Sequence, residues 1–380
     1  MSLSEDYEQL IGYADLDPVK RAASAAARST SGNIADVGLK VIEWSRGESV
    51  FLVDHGDYVM GSLEEGLGTK NKAADVINLW RQIARMVARQ MQQETGKTYY
   101  DSLAIDNIAM ILNDMATLNV RPLVLNMHWA VGDSKFFNDE QRTADLIAGS
   151  KRACNIAGCT WGGGETPTLR DIVASDSILL SGSAYGWANP KTKLITPRVE
   201  PGDAIFILPS SGIMANGLTM AREVAGMLPF GYFTELGNGQ IYGDAILTPT
   251  NLYGPLIQCM VDDGIDVHYT VNVTGHGWRK LMRLNTEVSY IVDMVPEPQE
   301  EFKLIQDVKH QTDKQMYETF NMGAGFAIYA PASHEPRISA IARLFRLNEV
   351  YKVGYVEAGP RQVVIRPLDI QWSAEDLGVR

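Results

Sequence analysis

The chain has 380 residues, of which 45% are hydrophobic and 21% charged, and it carries a formal net charge of -12. This composition predicts a globular protein of two domains of roughly 150 to 200 residues each. The acidic balance, without a cluster of Lys and Arg, argues against nucleic acid as a partner. No apolar run reaches the roughly 20 residues of a membrane helix, and the polar N-terminus lacks a signal-peptide core, so we expect a cytoplasmic protein with no membrane role.

The cysteines do not predict a disulfide framework or a metal site. The chain has three, Cys154, Cys159 and Cys259. Three are too few for a framework, and the C-x4-C pair has no His nearby to complete a zinc site. We therefore expect reduced cysteines in the core.

The first hundred residues predict two helices with two strands between them. Residues 16–28 form the first helix, and residues 72–94 form the second, whose apolar positions recur at spacings of three and four. Residues 49–53 and 58–62 are predicted strands. The segment 65–70, EGLGTK, then lies in a loop from strand to helix. It is not the common phosphate loop, because only one residue separates its glycines and Thr precedes the lysine.

Residues 101–116 predict a largely buried helix with one polar stripe. Asp106, Asn107, Asn113 and Asp114 fall within an arc of about 120° at a helical spacing, and nearly all the other positions are apolar. Buried carboxylates need a cation or hydrogen bonds, because a bare charge is costly in an apolar setting. The stripe is either a solvent-facing surface or, as we favour, the polar wall of an active site.

A glycine triplet lies downstream of a predicted strand after Pro122 and a helix over 139–157. The segment 159–166, CTWGGGET, contains Gly162 to Gly164 followed by Glu165. Such glycines permit close backbone approach to a ligand, and a tight turn explains them about as well. Residues 189–202 are rich in proline and lack periodicity, so we place the domain boundary there, giving domains of residues 1–190 and 191–380.

The second half repeats the order strand, glycine loop and helix. Residues 204–208 predict a strand, 209–217 read PSSGIMANG, and 218–227 predict a helix, an arrangement that binds phosphate but also serves as a plain tight connection. Residues 270–282, TVNVTGHGWRKLM, show the same order with His276 in the loop, which favours a functional histidine. Residues 318–332 predict a strand introduced by Asn321 and two glycines.

Seven segments, in order, resemble the aminoimidazole ribonucleotide (AIR) synthetase family, also called phosphoribosylformylglycinamidine cyclo-ligase. They are EGLGTK, AIDNIAMILND, GGGET, LPSSGIMANG, LTPTNLYGPL, VTGHGWRKLMRL and MYETFNMGAGFAI, within about residues 60 to 366. The resemblance implies an α/β (α+β) fold of two domains. Its N-terminal domain would contribute to a dimeric β-barrel, its C-terminal α/β domain would carry the glycine loops, and the protein would be a homodimer.

The resemblance also implies an activity and its cofactors. Members use ATP and Mg2+ to cyclise formylglycinamidine ribonucleotide to aminoimidazole ribonucleotide in purine biosynthesis. The formyl oxygen is phosphorylated, and the amine then attacks within the same molecule. Charge neutralisation and positioning do most of this work, so the site needs a metal, a lysine and backbone N–H donors rather than a nucleophilic side chain.

Site residues follow from the resemblance position by position. Lys70 would meet phosphate oxygens, and Lys70 and His276 would be catalytic, the latter because of its loop position. The residues implied for the nucleotide are Glu65, Gly66, Gly68, Thr69, Lys70, Asp106, Asn113, Gly163 and Gly164. Those implied for the substrate are Ser210, Ser211, Gly212, Asn216, Thr274, Gly275 and Asn321. Those implied for the metal are Glu65, Asp106, Asp114 and Glu165, since such oxygen ligands suit Mg2+.

Several positions depart from the family pattern. Glu65 replaces an Asp, Tyr100 a His, Met214 and Ala215 a His and a Ser, and His276 the middle glycine of TGGG. The family's N-terminal glycine-rich stretch has no clear counterpart, and the segment after GGET is shortened. These departures predict a divergent member whose nucleotide site is better kept than its substrate site.

Two alternative functions remain open at this point. One is another ATP-dependent member of the superfamily, similar to thiamine-phosphate kinase or a carbamoyl dehydratase. The other is a non-catalytic paralogue that binds a nucleotide. Selenophosphate synthesis is disfavoured because no N-terminal Cys is present.

Overall fold

The computed structural model describes residues 13–88, 98–347 and 349–377. Their strands form two sheets, one within residues 40–188 and one within residues 203–373. The predicted mixed α/β class is confirmed. The boundary expected near residue 190 lies between the two sheets, while the division into domains 1–190 and 191–380 stays a prediction. None of the helices in the described residues is long and apolar enough to cross a membrane.

The first sheet has six strands. They are β1 (Lys40–Val41), β2 (Phe51–Asp54), β3 (Val59–Gly66), β4 (Arg121–Val131), β5 (Thr160–Glu165) and β6 (Ile178–Ala188). Their order is β1-β2-β3-β6-β4-β5, and only β4 and β5 pair in parallel. The helices of this half are α1 (Tyr13–Ser29), α2 (Lys70–Ala88), α3 (Tyr100–Ala116) and α4 (Glu140–Ala157).

Helix α3 packs on one face of this sheet because β6 carries glycines beneath it. A Cβ on Gly182 would lie 3.1 Å from a side-chain carbon of Ile111, and one on Gly186 would lie 2.6 Å from a side-chain carbon of Met115. Residues of β6 alternate between this buried face and the other face of the sheet. On the other face, Leu179 and Tyr185 are 44% and 40% exposed, so α3 covers one side only.

The second sheet has seven strands. They are β7 (Asp203–Pro209), β8 (Tyr269–Asn272), β9 (Val288–Val292), β10 (Ala324–Pro331), β11 (Tyr351–Ala358), β12 (Gln362–Ile365) and β13 (Ile370–Ser373), in the order β13-β12-β9-β11-β7-β10-β8. The helices are α5 (Leu218–Met227), α6 (Tyr242–Ile246), α7 (Gly254–Asp262), α8 (Glu300–Lys309), α9 (Asp313–Thr319) and α10 (Glu335–Leu344). Strand β7 is apolar because both its faces are covered: Ile205 and Ile207 join one core, Phe206 and Leu208 another.

The predicted elements agree with the structure in most places and differ in three. Strand β3 extends through Glu65 and Gly66, so the start of EGLGTK is strand and not loop, because both residues pair with β6. The glycine triplet lies in strand β5 and not in a tight turn. The strand predicted over 318–332 begins only at Ala324, because Thr319 still belongs to α9. Residues 89–94 of the second predicted helix fall outside the described residues.

The cysteines are free thiols, but only Cys154 is buried. Cys159 and Cys259 are half-buried at the edges of the two cores, which differs from the expectation of core positions for all three.

We predict that Gly149 controls how closely α4 approaches α3. A Cβ there would lie 2.2 Å from the carbonyl oxygen of Asp101, a backbone atom that cannot move without shifting α3. Gly149→Ala should therefore lower the free energy of unfolding by about 1–3 kcal/mol, the usual cost of overpacking. Chemical denaturation measures this change.

The matched control is Gly226→Ala in α5, where an added Cβ meets no atom within 4 Å. That variant should be neutral or gain up to about 1 kcal/mol from helix propensity. Equal effects of the two substitutions would contradict the close approach at Gly149.

Candidate functional site

The polar stripe of α3 faces loops of the second half of the chain. The Oδ1 atom of Asp106 accepts hydrogen bonds from the backbone N–H and the hydroxyl of Thr250, at 2.9 and 2.6 Å. Asn113 donates to the Asn251 carbonyl at 2.8 Å and accepts from the Tyr253 backbone N–H at 2.9 Å. Because both Asp106 and Asn113 are buried, the interpretation of the stripe as a solvent-facing surface is wrong.

Lys70 forms a buried ion pair with Asp106. Its Nζ lies 2.7 Å from Oδ2 of Asp106, and both side chains are 0% exposed. The same Nζ donates to the carbonyls of Met214 and Thr248 at 2.8 and 2.9 Å. Burial lowers the pKa of Lys70 and raises that of Asp106, and each charge opposes the shift of the other.

This pairing bears on two predicted roles. An ammonium has three N–H groups, and the contacts of Lys70 account for three acceptors. In this structure Lys70 ties the start of α2 to α3 and to two loops of the second half. The predictions that Lys70 meets phosphate oxygens and that Asp106 binds metal stay predictions.

Glu65 and Asp114 are acids of the first half that lie where the two halves meet, a region that we call the cleft. Burial raises the pKa of Glu65, and the charge of Asp114 raises it further. The charges of Lys280 and Arg283, which belong to the second half, lower it. Asp114 also accepts a hydrogen bond from the side-chain amide of Asn272, at the end of β8, at 2.8 Å. Acids from the first half thus meet a cationic loop from the second.

The predicted substrate loops lie against each other. The Asn321 amide donates to the carbonyls of Gly212 and Ile213 at 2.9 and 3.3 Å, which fixes the loop PSSGIMANG. A Cβ on Gly275 would lie 3.5 Å from Oδ1 of Asn216, so TGHG adjoins that loop. The structure brings these residues together. Asn321 itself is 4% exposed and holds the backbone of the loop.

The remaining residues predicted for the substrate occupy the same two loops. Ser210 is buried, and its backbone N–H donates to the Gly323 carbonyl at 2.8 Å. Ser211 and Thr274 are half-buried.

His276 occupies a left-handed backbone conformation with φ of 72°. This conformation explains why a glycine suits the position in the family pattern, and His is one of the residues that tolerate it. The residue is 8% exposed and directly precedes a 3-10 helix, Gly277–Met282. Its catalytic role stays a prediction.

Gly66, Gly68 and Thr69 are exposed just before α2. A Cβ on Gly68 would meet no atom within 4 Å, so packing within the chain gives no reason for glycine there. The prediction that these residues approach a nucleotide is compatible with that open space.

Glu165 does not meet Glu65 within one chain. In register, Glu65 pairs with Gly182, Gly182 with Met127, and Met127 with Gly164. Glu65 and Gly164, the neighbour of Glu165, are therefore three strand spacings apart across the sheet, about 14 Å. Gly163 and Gly164 have φ of 132° and 151°, and a Cβ on Gly164 would lie 1.8 Å from the Met127 carbonyl oxygen. Glycine at position 164 is thus required by the pairing of β4 and β5.

The residues at the acidic side fit a hard cation. Within the described part of the chain, no group of three or more His, Cys, Asp or Glu could hold a metal. Glu65 and Asp114 supply carboxylates, and Oδ1 of Asn272, which is 2% exposed, has no hydrogen-bond partner. Oxygen donors of this kind suit Mg2+, which takes its remaining ligands from water and substrate phosphates.

Several contacts of the site were missed by sequence reasoning. Asn272 and Lys280 flank the loop TGHG, and Thr250 lies in LTPTNLYGPL. The family resemblance includes both segments, but it assigned no role to these three side chains. Glu301 is 4% exposed and packs under Gly212, where an added Cβ would lie 2.6 Å from its Oε1. No sequence pattern marked Glu301.

Comparison with known proteins shows the family to which the chain belongs. The family model described as "AIR synthase related protein, N-terminal domain" matches residues 85–188, and the corresponding C-terminal domain model matches residues 200–366. The chain is 32% identical over 321 residues to a phosphoribosylformylglycinamidine cyclo-ligase of Methanocaldococcus jannaschii, covering 83% of the chain and 80% of the relative. The chain belongs to the AIR synthase related family.

A second relative supports the same conclusion. The protein of the same name from Methanothermobacter thermautotrophicus is 30% identical over 315 residues, which cover 80% of the chain and 83% of the relative. The predicted family membership and the predicted cyclo-ligase-like enzyme class are confirmed.

Solved structures share the fold at low identity. A ThiL protein, described as AaThiL complexed with AMPPCP and TMP, is 13% identical with a TM-score of 0.56, covering 86% of this chain and 90% of that one. Hydrogenase maturation protein HypE in complex with ATP is 18% identical with a TM-score of 0.53, covering 71% and 78%. T. maritima PurL complexed with FGAR is 16% identical with a TM-score of 0.53, covering 86% of this chain and 47% of that one.

We predict that Lys70→Met costs about 3–5 kcal/mol of the free energy of unfolding, because it leaves the carboxylate of Asp106 buried without its cation. Adding Asp106→Asn should recover part of that loss. Denaturant titration of the single and double variants measures the coupling between the two positions.

The control is Lys193→Met, which removes an exposed ion pair with Asp262. Such pairs contribute about 1 kcal/mol or less. A loss at Lys70 no greater than at Lys193 would contradict the importance of the buried pair.

Proposed function

We propose that the protein uses ATP to cyclise formylglycinamidine ribonucleotide to aminoimidazole ribonucleotide. The observation that carries the proposal is the similarity to cyclo-ligases over four fifths of the chain. The charges at the cleft support it, since acids of one half face Lys280 and Arg283 of the other. Phosphoryl transfer needs both a metal and cations beside the phosphates.

Glu65 and Asp114 would hold Mg2+ together with the free oxygen of Asn272. When bound, Mg2+ would neutralise the oxygens of the ATP phosphates and so ease transfer of the γ-phosphoryl group. Asp106 and Glu165 were also predicted as ligands. Asp106 would act by fixing α3 through Lys70 and Thr250. Glu165 lies at the far edge of the sheet and would not share a metal ion with Glu65 of the same chain.

The glycine segments would bind the two substrates through their backbones. Gly66, Gly68, Thr69, Gly163 and Gly164 would approach the nucleotide, with Asn113 holding the loop after Thr250. Ser210, Ser211, Gly212, Asn216, Thr274 and Gly275 would approach the ribonucleotide, with Asn321 holding the first loop. Backbone N–H groups fixed in this way stabilise developing negative charge without reorganising. His276 would supply a polar contact, and no side-chain nucleophile is required.

We also propose that the protein acts as a homodimer. The first sheet leaves one face uncovered by α3, and Leu179 and Tyr185 lie there 44% and 40% exposed. A second copy would cover this face and join the two sheets into a barrel, as the family resemblance implies.

Purified protein with Mg2+, ATP and formylglycinamidine ribonucleotide should form ADP and aminoimidazole ribonucleotide in equal amounts. Chromatographic assay of both products measures this. ADP without ring product would favour another acceptor, as in a superfamily kinase or dehydratase. Bound ATP without either product would indicate a non-catalytic paralogue.

The same assay tests the metal ligands. Asp114→Asn should raise the Mg2+ concentration needed for half-maximal rate by about tenfold or more, because a neutral amide binds the cation less strongly than a carboxylate. The control Asp262→Asn alters an exposed acid that pairs with Lys193, and its Mg2+ dependence should match the parent. An unchanged Mg2+ dependence in Asp114→Asn would remove Asp114 from the metal site.

Sedimentation velocity should show a dimer in solution. Tyr185→Asp, which places a charge on the uncovered face, should shift the population to monomer. The control Ile172→Asp alters a residue that is 81% exposed outside the sheets and should leave the dimer intact. A monomeric parent protein would refute the proposal.

A further inference from the structure

The buried position of Lys70 raises the question of which cation meets a phosphate. The proposed function requires positive charge beside the phosphate groups, and this inference rests on that function. Lys70 is 0% exposed, with its ammonium directed at Asp106 and at two carbonyls. Moving it toward a ligand would leave the carboxylate of Asp106 buried without a cation, which is costly.

Lys280 lies in a better position. It lies three residues after the loop TGHG, within the 3-10 helix Gly277–Met282, and it is 8% exposed. Its ammonium donates to the side-chain oxygen of Thr274, at the start of that loop. This contact holds the ammonium at Thr274, which is half-buried, as is the next residue, Gly275.

The loop that carries Lys280 is fixed to the acidic side of the cleft. Asn272, two residues before Thr274, donates to Asp114 at 2.8 Å. The ammonium of Lys280 is hydrogen-bonded to Thr274, so it is held two residues along the chain from the contact between Asn272 and Asp114. A phosphate between the two halves would therefore have the metal-binding carboxylates on one side and this ammonium on the other.

We propose that Lys280, oriented by Thr274, binds a phosphate group in the cleft between the two halves of the chain. A lysine acts on phosphate as a compact point charge with three donors, so its reach matters more than a fixed planar geometry. The phosphate belongs either to ATP or to the ribonucleotide substrate, which present the same chemistry to the ammonium.

Calorimetric titration of full-length Lys280→Met with Mg-ATP, Mg-ADP and formylglycinamidine ribonucleotide tests the proposal. Loss of a charge-assisted hydrogen bond should weaken the phosphate ligand by about 10- to 100-fold. Weakening of ATP alone identifies the terminal phosphate of the nucleotide. Weakening of the ribonucleotide alone identifies the substrate phosphate. Lys280→Arg, which keeps the charge, should retain most of the affinity.

The control Lys352→Met removes an exposed lysine that pairs with Glu335, and it should bind every ligand like the parent. If Lys280→Met fails to fold, Lys280→Gln, which keeps a polar side chain but has no charge, carries the same test.

Unchanged affinity for all three ligands, with or without a lower melting temperature, would overturn the proposal and leave Lys280 as a counter-charge for Glu65. The measurement needs no turnover. A parent protein that binds these ligands without forming ring product would therefore refute the proposed function and leave the role of Lys280 still decided by the affinities.

Discussion

The buried ion pair between Lys70 and Asp106 is the constraint on which the arrangement of the two halves depends. Each charge alone would carry a desolvation cost of several kcal/mol. The cost is offset because the ammonium also meets the carbonyls of Met214 and Thr248, and the carboxylate also meets Thr250. Three of these five residues come from the second half of the chain. The pair is satisfied only when α2, α3 and both loops are assembled together.

This constraint fixes the relative position of unlike charges in the cleft. The same helix that bears Asp106 bears Asp114 two turns later, and Asp114 receives the amide of Asn272 from β8. The loop after β8 carries Lys280. Hydrogen bonds of α3 with residues 250–253 and 272 therefore hold the end of α3 that carries Asp114 against the segment that leads to Lys280. Because the acids of the cleft come from one half and Lys280 comes from the other, neither half needs to carry all the groups of the site.

From the sequence we could predict which segments form helices and strands and which segments belong to the site. The sequence did not indicate which side chains of these segments contact one another. The helical spacing of Asp106, Asn113 and Asp114 predicted a polar stripe on a largely buried helix, and in the structure Asp106 and Asn113 are buried while Asp114 is half-buried. Periodicity carries no information on partners, so it did not indicate that Asp106 pairs with Lys70, 36 positions earlier. Likewise, the glycines of GGGET suggested either close approach to a ligand or a tight turn, and the sequence did not indicate that Gly164 allows the close pairing of β5 with the Met127 carbonyl.

The departures from the family pattern in PSSGIMANG have a physical explanation in the same contacts. Met214 and Ala215 are 2% and 8% exposed and pack into the two cores, so their side chains take no part in an open surface. Met214 has φ of 59°, a left-handed conformation that costs a non-glycine residue about 1–2 kcal/mol. Its carbonyl is held by Lys70, and the two carbonyls before it are held by Asn321. The backbone of the loop is thus set by residues outside it, and a loop that binds through backbone N–H groups can change these two side chains and still keep its shape.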